Sequence, residues 1–275
     1  MLDKIFKRTK QKSSDPSGKL DKPKEVNRIL EEQLEASLHE FNRSNSGLLI
    51  SAFGAGLEVG FSVLLMGTVF TLFGESVNPE SLKMYLALSY PLGFIFVIIG
   101  RSELFTEHTA LALLPVLNKS VQVSDLFKLW GLVYTGNIIG GFVFSFLLTA
   151  IGPLVGFISK EAFYHLAYEL IDYEWYTILT SALLAGWMMG LLGWLLTSSQ
   201  ETISRIVVIV LITTIIGIAG LHHCIVGSIE VFAGFITSRQ ITLFNYLKFQ
   251  IWATIGNAIG GAVFVAILKF SHVRV

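Results

Sequence analysis

Two apolar segments of this chain carry ionisable side chains at close spacing. The stretch IIGRSELFTEHTALALLPVL, residues 98–117, places Arg101, Glu103, Glu107 and His108 within eight residues, and HHCIVGSIE places His222, His223 and Glu230 in a second such segment. Ionisable groups in apolar spans are expensive and by default mark substrate paths or proton relays. The chemistry they offer is proton donation. Histidine, with an ordinary pKa near 6.5, is the side chain able to give up a proton at ordinary pH, and His223 is the candidate. Arg101 is expected to form an internal ion pair with Glu103, Glu107 or Glu230, since breaking a buried pair costs about 3–5 kcal/mol. Glu58 is expected at a pore mouth or a protomer interface. The adjacent histidines lack a third ligand at metal spacing, so no metal site is expected. No HExxH helix or GxSxG elbow occurs, which argues against an enzyme, and no cofactor is expected.

The elements that must hold these groups are membrane helices. The chain has 275 residues, 53% of them hydrophobic, with a mean hydropathy of +0.65 and 15% charged residues, against about 25% charged in soluble domains. Apolar runs of roughly 20 residues recur, enough to cross ~30 Å of hydrocarbon. The expected fold is all-α, a polytopic membrane protein with six spans at about 47–73, 82–118, 125–152, 174–198, 204–237 and 246–270. Residues 1–23 read as a disordered basic cytoplasmic tail without the apolar core of a secretory signal. Residues 24–45 read as an amphipathic helix with Val26, Leu30, Leu34, Leu38 and Phe41 on its apolar face. The channel domain is expected over 46–270 and a short cytoplasmic end over 271–275. A further surface-lying stretch, KEAFYHLAYELIDYEWY, joins spans three and four. The one cysteine, Cys224, excludes an intrachain disulfide and reads as a small packing residue. Half of the twenty Lys and Arg lie in the first 43 residues, which sets both termini on the cytoplasmic side. The basic tail lacks interleaved aromatics, so no nucleic-acid partner is expected.

The second and fifth spans are too long for one plain crossing, and each is interrupted by its polar cluster. In an unbroken helix Glu103 and Glu107 would stack at i,i+4 with like charge. A bend separates them, and non-helical backbone is tolerated at that depth only where it is buried in protein or lines a wet cavity. The chain also repeats. GNIIGGFVF from Gly136, Asn137 onward matches GNAIGGAVF from Gly256, Asn257 at seven of nine positions and an offset of 120; SAFGAGLEVG from Ser51 parallels SALLAGWMMG from Ser181. Small residues four apart let membrane helices approach closely. Repeats of three spans, at 46–152 and 174–270, must lie inverted to each other, as in many transporters. The 120-residue offset maps Gly100 onto Gly220 and Glu103 onto His223.

ELFTEHT followed by LLPVL, the third-span pattern Trp130, Tyr134, Gly136, Asn137, and HHCIVGSIE together resemble the formate/nitrite transporter family from Gly47 to Lys269, in particular a bacterial inner-membrane branch of it. The resemblance implies an aquaporin-like protomer with one pore, a homopentamer, and passage of small monovalent anions such as formate, nitrite or hydrosulfide. It also implies a central histidine, His223, opposite a threonine, Thr106, with Leu104 and Phe105 as constriction residues; Glu107 completes the pore-facing set. Three family features differ here. The lysine before the fourth span is replaced by an acidic stretch with Glu169, Asp172 and Glu174, an asparagine within that span corresponds to Gly186, and the one following the histidine corresponds to Gly227.

A bare anion loses its hydration in an apolar slit. Helix N-termini at the breaks are expected to supply donors, Thr106 to bind the anion, and His223 to supply or relay the proton. The alternative is an aquaporin-like pore for water or small neutral solutes, although neither break carries an Asn-Pro-Ala turn. A scaffold with a vestigial pore is a third reading.

Overall fold

Helices account for all the regular structure among the described residues of the computed structural model, which are 23–274. The expected disordered tail, Pro23 excepted, lies outside them, as do Val275 and the Arg274 side chain. In chain order the helices are α1 (Val26–Phe41), α2 (Asn45–Phe73), α3 (Pro79–Ser89), α4 (Pro91–Gly100), α5 (Phe105–Leu111), α6 (Leu113–Leu117), α7 (Val123–Val155), α8 (Lys160–Ile171), α9 (Trp175–Ser198), α10 (Thr202–Ala219), α11 (Val226–Thr237) and α12 (Leu243–Gly261). A π-helical turn over Ala262–Ile267 leads into α13 (Leu268–Arg274). Five stretches, Asn45–Phe73, Pro79–Gly100, Val123–Val155, Trp175–Ser198 and Thr202–Ala219, are long and apolar enough to cross a membrane.

Local chemistry sets where these helices start. Ser44 caps α2 by accepting from Gly47 N–H at 3.1 Å. Asn78 caps α3 at 2.8 Å ahead of Pro79, and Thr242 with Asn245 forms a capping box at α12. These side chains satisfy amide donors that have no partner within the helix.

Both interruptions occur, and both are built alike. α4 ends as Arg101 turns to φ +61°, with Ser102 N–H returning to Val97 O at 3.0 Å. α10 ends as Gly220 turns to φ +62°, with Leu221 N–H returning to Ile216 O at 3.0 Å. This is the left-handed C-terminal cap usually made with glycine. The two caps correct the expected register: Arg101, not Gly100, is the counterpart of Gly220. The offset at the breaks is one residue shorter than at the GN motifs, because the second half has one extra residue between its break and α12.

The core is organised around two tight helix pairs, α2 on α7 and α9 on α12. A Cβ at Gly56 would collide with the Asn137 carbonyl, and one at Gly186 with the Asn257 carbonyl. Gly140 meets the Phe53 carbonyl and Gly260 the Leu183 carbonyl in the same way. The repeated small residues are therefore contact points at which backbones touch. Gly186, matched in the sequence to a family asparagine, is one of these contact points.

α1 lies across one end of this assembly. Its buried face is Ile29, Leu30, Gln33 and Ser37, while Val26 is exposed. Leu30 and Leu34 of the expected stripe pack inward, and the buried face extends to Ile29 and Gln33 because α1 docks on Leu114, Trp194 and Ala266 of the protein. Lys24 Nζ donates to Thr197 O and to Glu32, both at 2.7 Å.

Candidate pore site

Asparagines hold the two breaks. Asn137 Oδ1 accepts from Phe105 N–H at 2.8 Å, and its Nδ2 donates to Ala52 O and Glu103 O, each at 2.8 Å. Asn257 Oδ1 accepts from Cys224 N–H at 2.8 Å, and its Nδ2 donates to Ala182 O at 2.7 Å and His222 O at 2.9 Å. Each amide thus ties a break to two helices. Glu103 is thereby the counterpart of His222, and Leu104 that of His223, instead of the expected match of Glu103 with His223. The expectation that break amides are free for an anion also changes at these positions, since Phe105 N–H and Cys224 N–H are both occupied.

Between the breaks, Thr106 Oγ1 and His223 Nε2 are 2.9 Å apart, with relative exposures of 0% and 1%. Val226 N–H donates to His223 Nδ1 at 3.3 Å. An acceptor at Nδ1 places the proton of the neutral ring on Nε2, so the ring donates to the threonine hydroxyl. Thr109 Oγ1 donates to Thr106 O at 2.8 Å and anchors the turn. Phe94 presents its ring to His223 at 5.2 Å with an 88° interplanar angle. Leu104 is fully buried, and Phe105 packs edge-on to Tyr134 at 5.1 Å.

Two cavities flank the segments that carry this contact: His223 lines one, and Glu107, next to Thr106, lines the other. One, of about 310 Å³, is lined by His223, Gly227 and Glu230 with Tyr90, Lys83 and Tyr173. The other, of about 140 Å³, is lined by Glu107, Ala110, Trp194 and Thr197 together with Gln33 and Ala36 of α1. Tyr173 precedes α9 and Thr197 closes it, so the cavities open at opposite ends of that helix. Gly227 leaves room for Phe249, whose ring a Cβ there would strike; an asparagine could enter only if that ring moved.

The ionic contacts differ from the expected ones. Arg101 is exposed and forms no ion pair among the described residues, because the left-handed turn directs it out of the core. Glu103 is paired, but with Arg43 and His108. Arg43 also donates to Glu40 at 2.6 Å, which fastens the end of α1 to the first break. Glu230 has no ion-pair partner among the described residues. Glu58 Oε2 is buried without a hydrogen-bond partner, close to Gly100. His222 lies between Ser181 Oγ at 2.8 Å and Leu170 O at 3.1 Å, a fully bonded structural position. Among the described residues no group of three metal-ligating side chains occurs. Arg43 and Phe94 are contributors that the sequence reading did not single out, while His108 was noted only within its polar cluster and Ser181 only as the start of a repeat. Arg43 had one local signal, its place three residues after Glu40 at the end of an amphipathic helix.

The formate/nitrite transporter family model matches residues 27–271. The chain belongs to that family. It is 30% identical over 238 residues to the inner membrane protein YfdC of Escherichia coli (strain K12), covering 86% of this chain and 74% of the relative. Its fold is similar to that of a solved FNT family ion channel, with a TM-score of 0.77, 20% identity, and coverage of 90% of this chain and 98% of the other. A solved pentameric formate channel with formate bound gives a TM-score of 0.70 at 20% identity, covering 88% of this chain and 99% of that one.

Proposed function

We propose that this formate/nitrite transporter family member conducts small monovalent weak-acid anions, of the formate and nitrite class, and moves each with a proton handled by His223. One observation carries the reading: the Thr106–His223 contact is buried, with His223 on the wall of one cavity and Glu107, the neighbour of Thr106, on the wall of a second whose lining reaches the opposite end of α9. An anion arriving there meets a hydroxyl and an imidazole in place of water. Protonation removes the charge that apolar walls would otherwise reject. Leu104 and Phe105 on one side and Phe94 on the other exclude water from the transfer.

The same reading gives the protomer six crossings, α2, α3–α6, α7, α9, α10–α11 and α12, arranged as two inverted halves. Its support is the matching hydrogen bonds of Asn137 and Asn257 and the matching glycine contacts. α1, Lys269 and the Lys119–Lys128 region lie at one end, which the positive-inside rule assigns to the cytoplasm. The likeness to YfdC supports a bacterial inner membrane. The pentameric neighbour supports a homopentamer, and Arg101, an exposed cation at a break between apolar helices, is the surface that we assign to a second copy.

Flux of formate and nitrite into proteoliposomes, measured from roughly pH 5 to 8, tests the central claim. His223→Ala is expected to slow flux by about 100-fold, the lower end of what a positioned acid–base group supplies, and to flatten the pH profile. An unchanged rate and profile would remove the proposal.

A further inference from the structure

Glu230 lies on the wall of the larger cavity. His223, Gly227 and Glu230 are four and three residues apart where α11 begins, and all three line this cavity. Glu230 is only 7% exposed. Much of the surrounding wall is apolar, with Met66, Leu82, Leu166 and Ile216 among its members. The other titratable groups facing the cavity are Lys83 and Tyr90 from the α3–α4 rod, His165 and Glu169 of α8, Tyr173 before α9, and His223 itself. None forms an ion pair with Glu230 among the described residues. An uncompensated carboxyl therefore stands on the approach to the central imidazole.

A carboxylate in such a place repels an approaching anion, with little water to screen it. A neutral carboxyl does the reverse, offering an O–H donor in place of lost hydration. We propose that Glu230 is a specificity-determining residue that admits weak-acid substrates from this cavity only together with a proton. The proton comes from hydronium in the cavity solution, which is left as water, and forms the Glu230 O–H bond. If the anion takes it, the neutral acid moves on to Thr106 and His223 while Glu230 returns to carboxylate. If the substrate arrives already neutral, no transfer is needed. This inference rests on the anion-pore reading and adds to it a second residue that responds to pH, outside the constriction.

The test is formate flux into proteoliposomes at matched internal and external pH, for the full-length protein and three variants. Wild-type flux is expected to fall steeply between roughly pH 5 and 8. Glu230→Gln, of equal size and fixed neutral charge, is expected to retain flux at the upper end, several-fold above wild type, on a flatter profile. Glu230→Asp is expected to keep the wild-type slope. Glu169→Gln, an exposed acid on the same cavity, is expected to leave the slope unaltered. The inference is overturned by a wild-type profile in Glu230→Gln, by equal flattening in Glu169→Gln, or by a Glu230→Gln protein of wild-type oligomer size that is inactive at every pH. Absence of wild-type flux at all pH values overturns the pore reading along with it, whereas flux with any of the former outcomes leaves that reading standing.

Discussion

Asn137 and Asn257 do for this pore what backbone alone cannot. A broken helix exposes amides and carbonyls that have no water to bond with in hydrocarbon, and each asparagine takes up one donor and two acceptors. An unsatisfied buried group costs about 1–3 kcal/mol. Asn257→Ala, which strands three of them, is therefore expected to destabilise the protein by about 3 kcal/mol or more, read as a lower melting temperature in detergent. Asn137→Ala should behave alike, and a variant that melts with wild type would contradict this account. Much of this was visible in the residue string, since the repeated GN motifs flagged both asparagines and the polar clusters flagged both breaks. The one-residue slip at the breaks was not visible, because motif alignment fixes register only where side chains are constrained to match. Nor was the Arg43–Glu103 pair, which joins residues 60 positions apart and leaves no periodic trace.

α1 shows how an element can be read correctly in type and only partly in orientation, since Leu30 and Leu34 of the expected stripe turn inward and Val26 does not. Its apolar periodicity marks a helix, but the face that turns inward depends on what lies beneath, here Trp194, Leu114 and Ala266. Partial burial works against the charge on Glu32, yet hydrogen bonds from Lys24 and Arg28 outweigh it and hold the carboxyl below its ordinary value of 4.5. A carboxyl lowered in the docked state stabilises that state above its ordinary pKa, and the benefit is lost as pH falls through the lowered value. Hydrogen exchange of residues 26–41 is thus expected to quicken as pH drops below about 4.5, after correction for intrinsic rates. Glu32→Gln should already show the faster exchange at neutral pH. Equal protection in the variant and wild type would remove Glu32 from the docking contact.

On the scale of the whole molecule, Arg101 is the residue the single protomer leaves unexplained. It adopts a left-handed backbone that costs a non-glycine residue roughly 1–2 kcal/mol, and its guanidinium is turned outward. The proposed homopentamer would give that arrangement a partner. Arg101→Ala is expected to shift the assembly toward smaller species on dilution in detergent, and Arg101→Glu to do so further, by size-exclusion chromatography with light scattering. Retention of wild-type size by both would separate the residue from the interface. The repeated motifs could be read from the sequence, whereas an outward arginine could not, because sequence spacing says nothing about which surface another copy covers. The saturated asparagines have one more consequence. With their donors and acceptors engaged, the waist of the conduit cannot widen by backbone hinging without abandoning those bonds. Throughput must then be throttled by rotamers at the constriction or by traffic at the two mouths, and a blocking agent aimed at this protein would do better to plug a vestibule than to pry the centre apart.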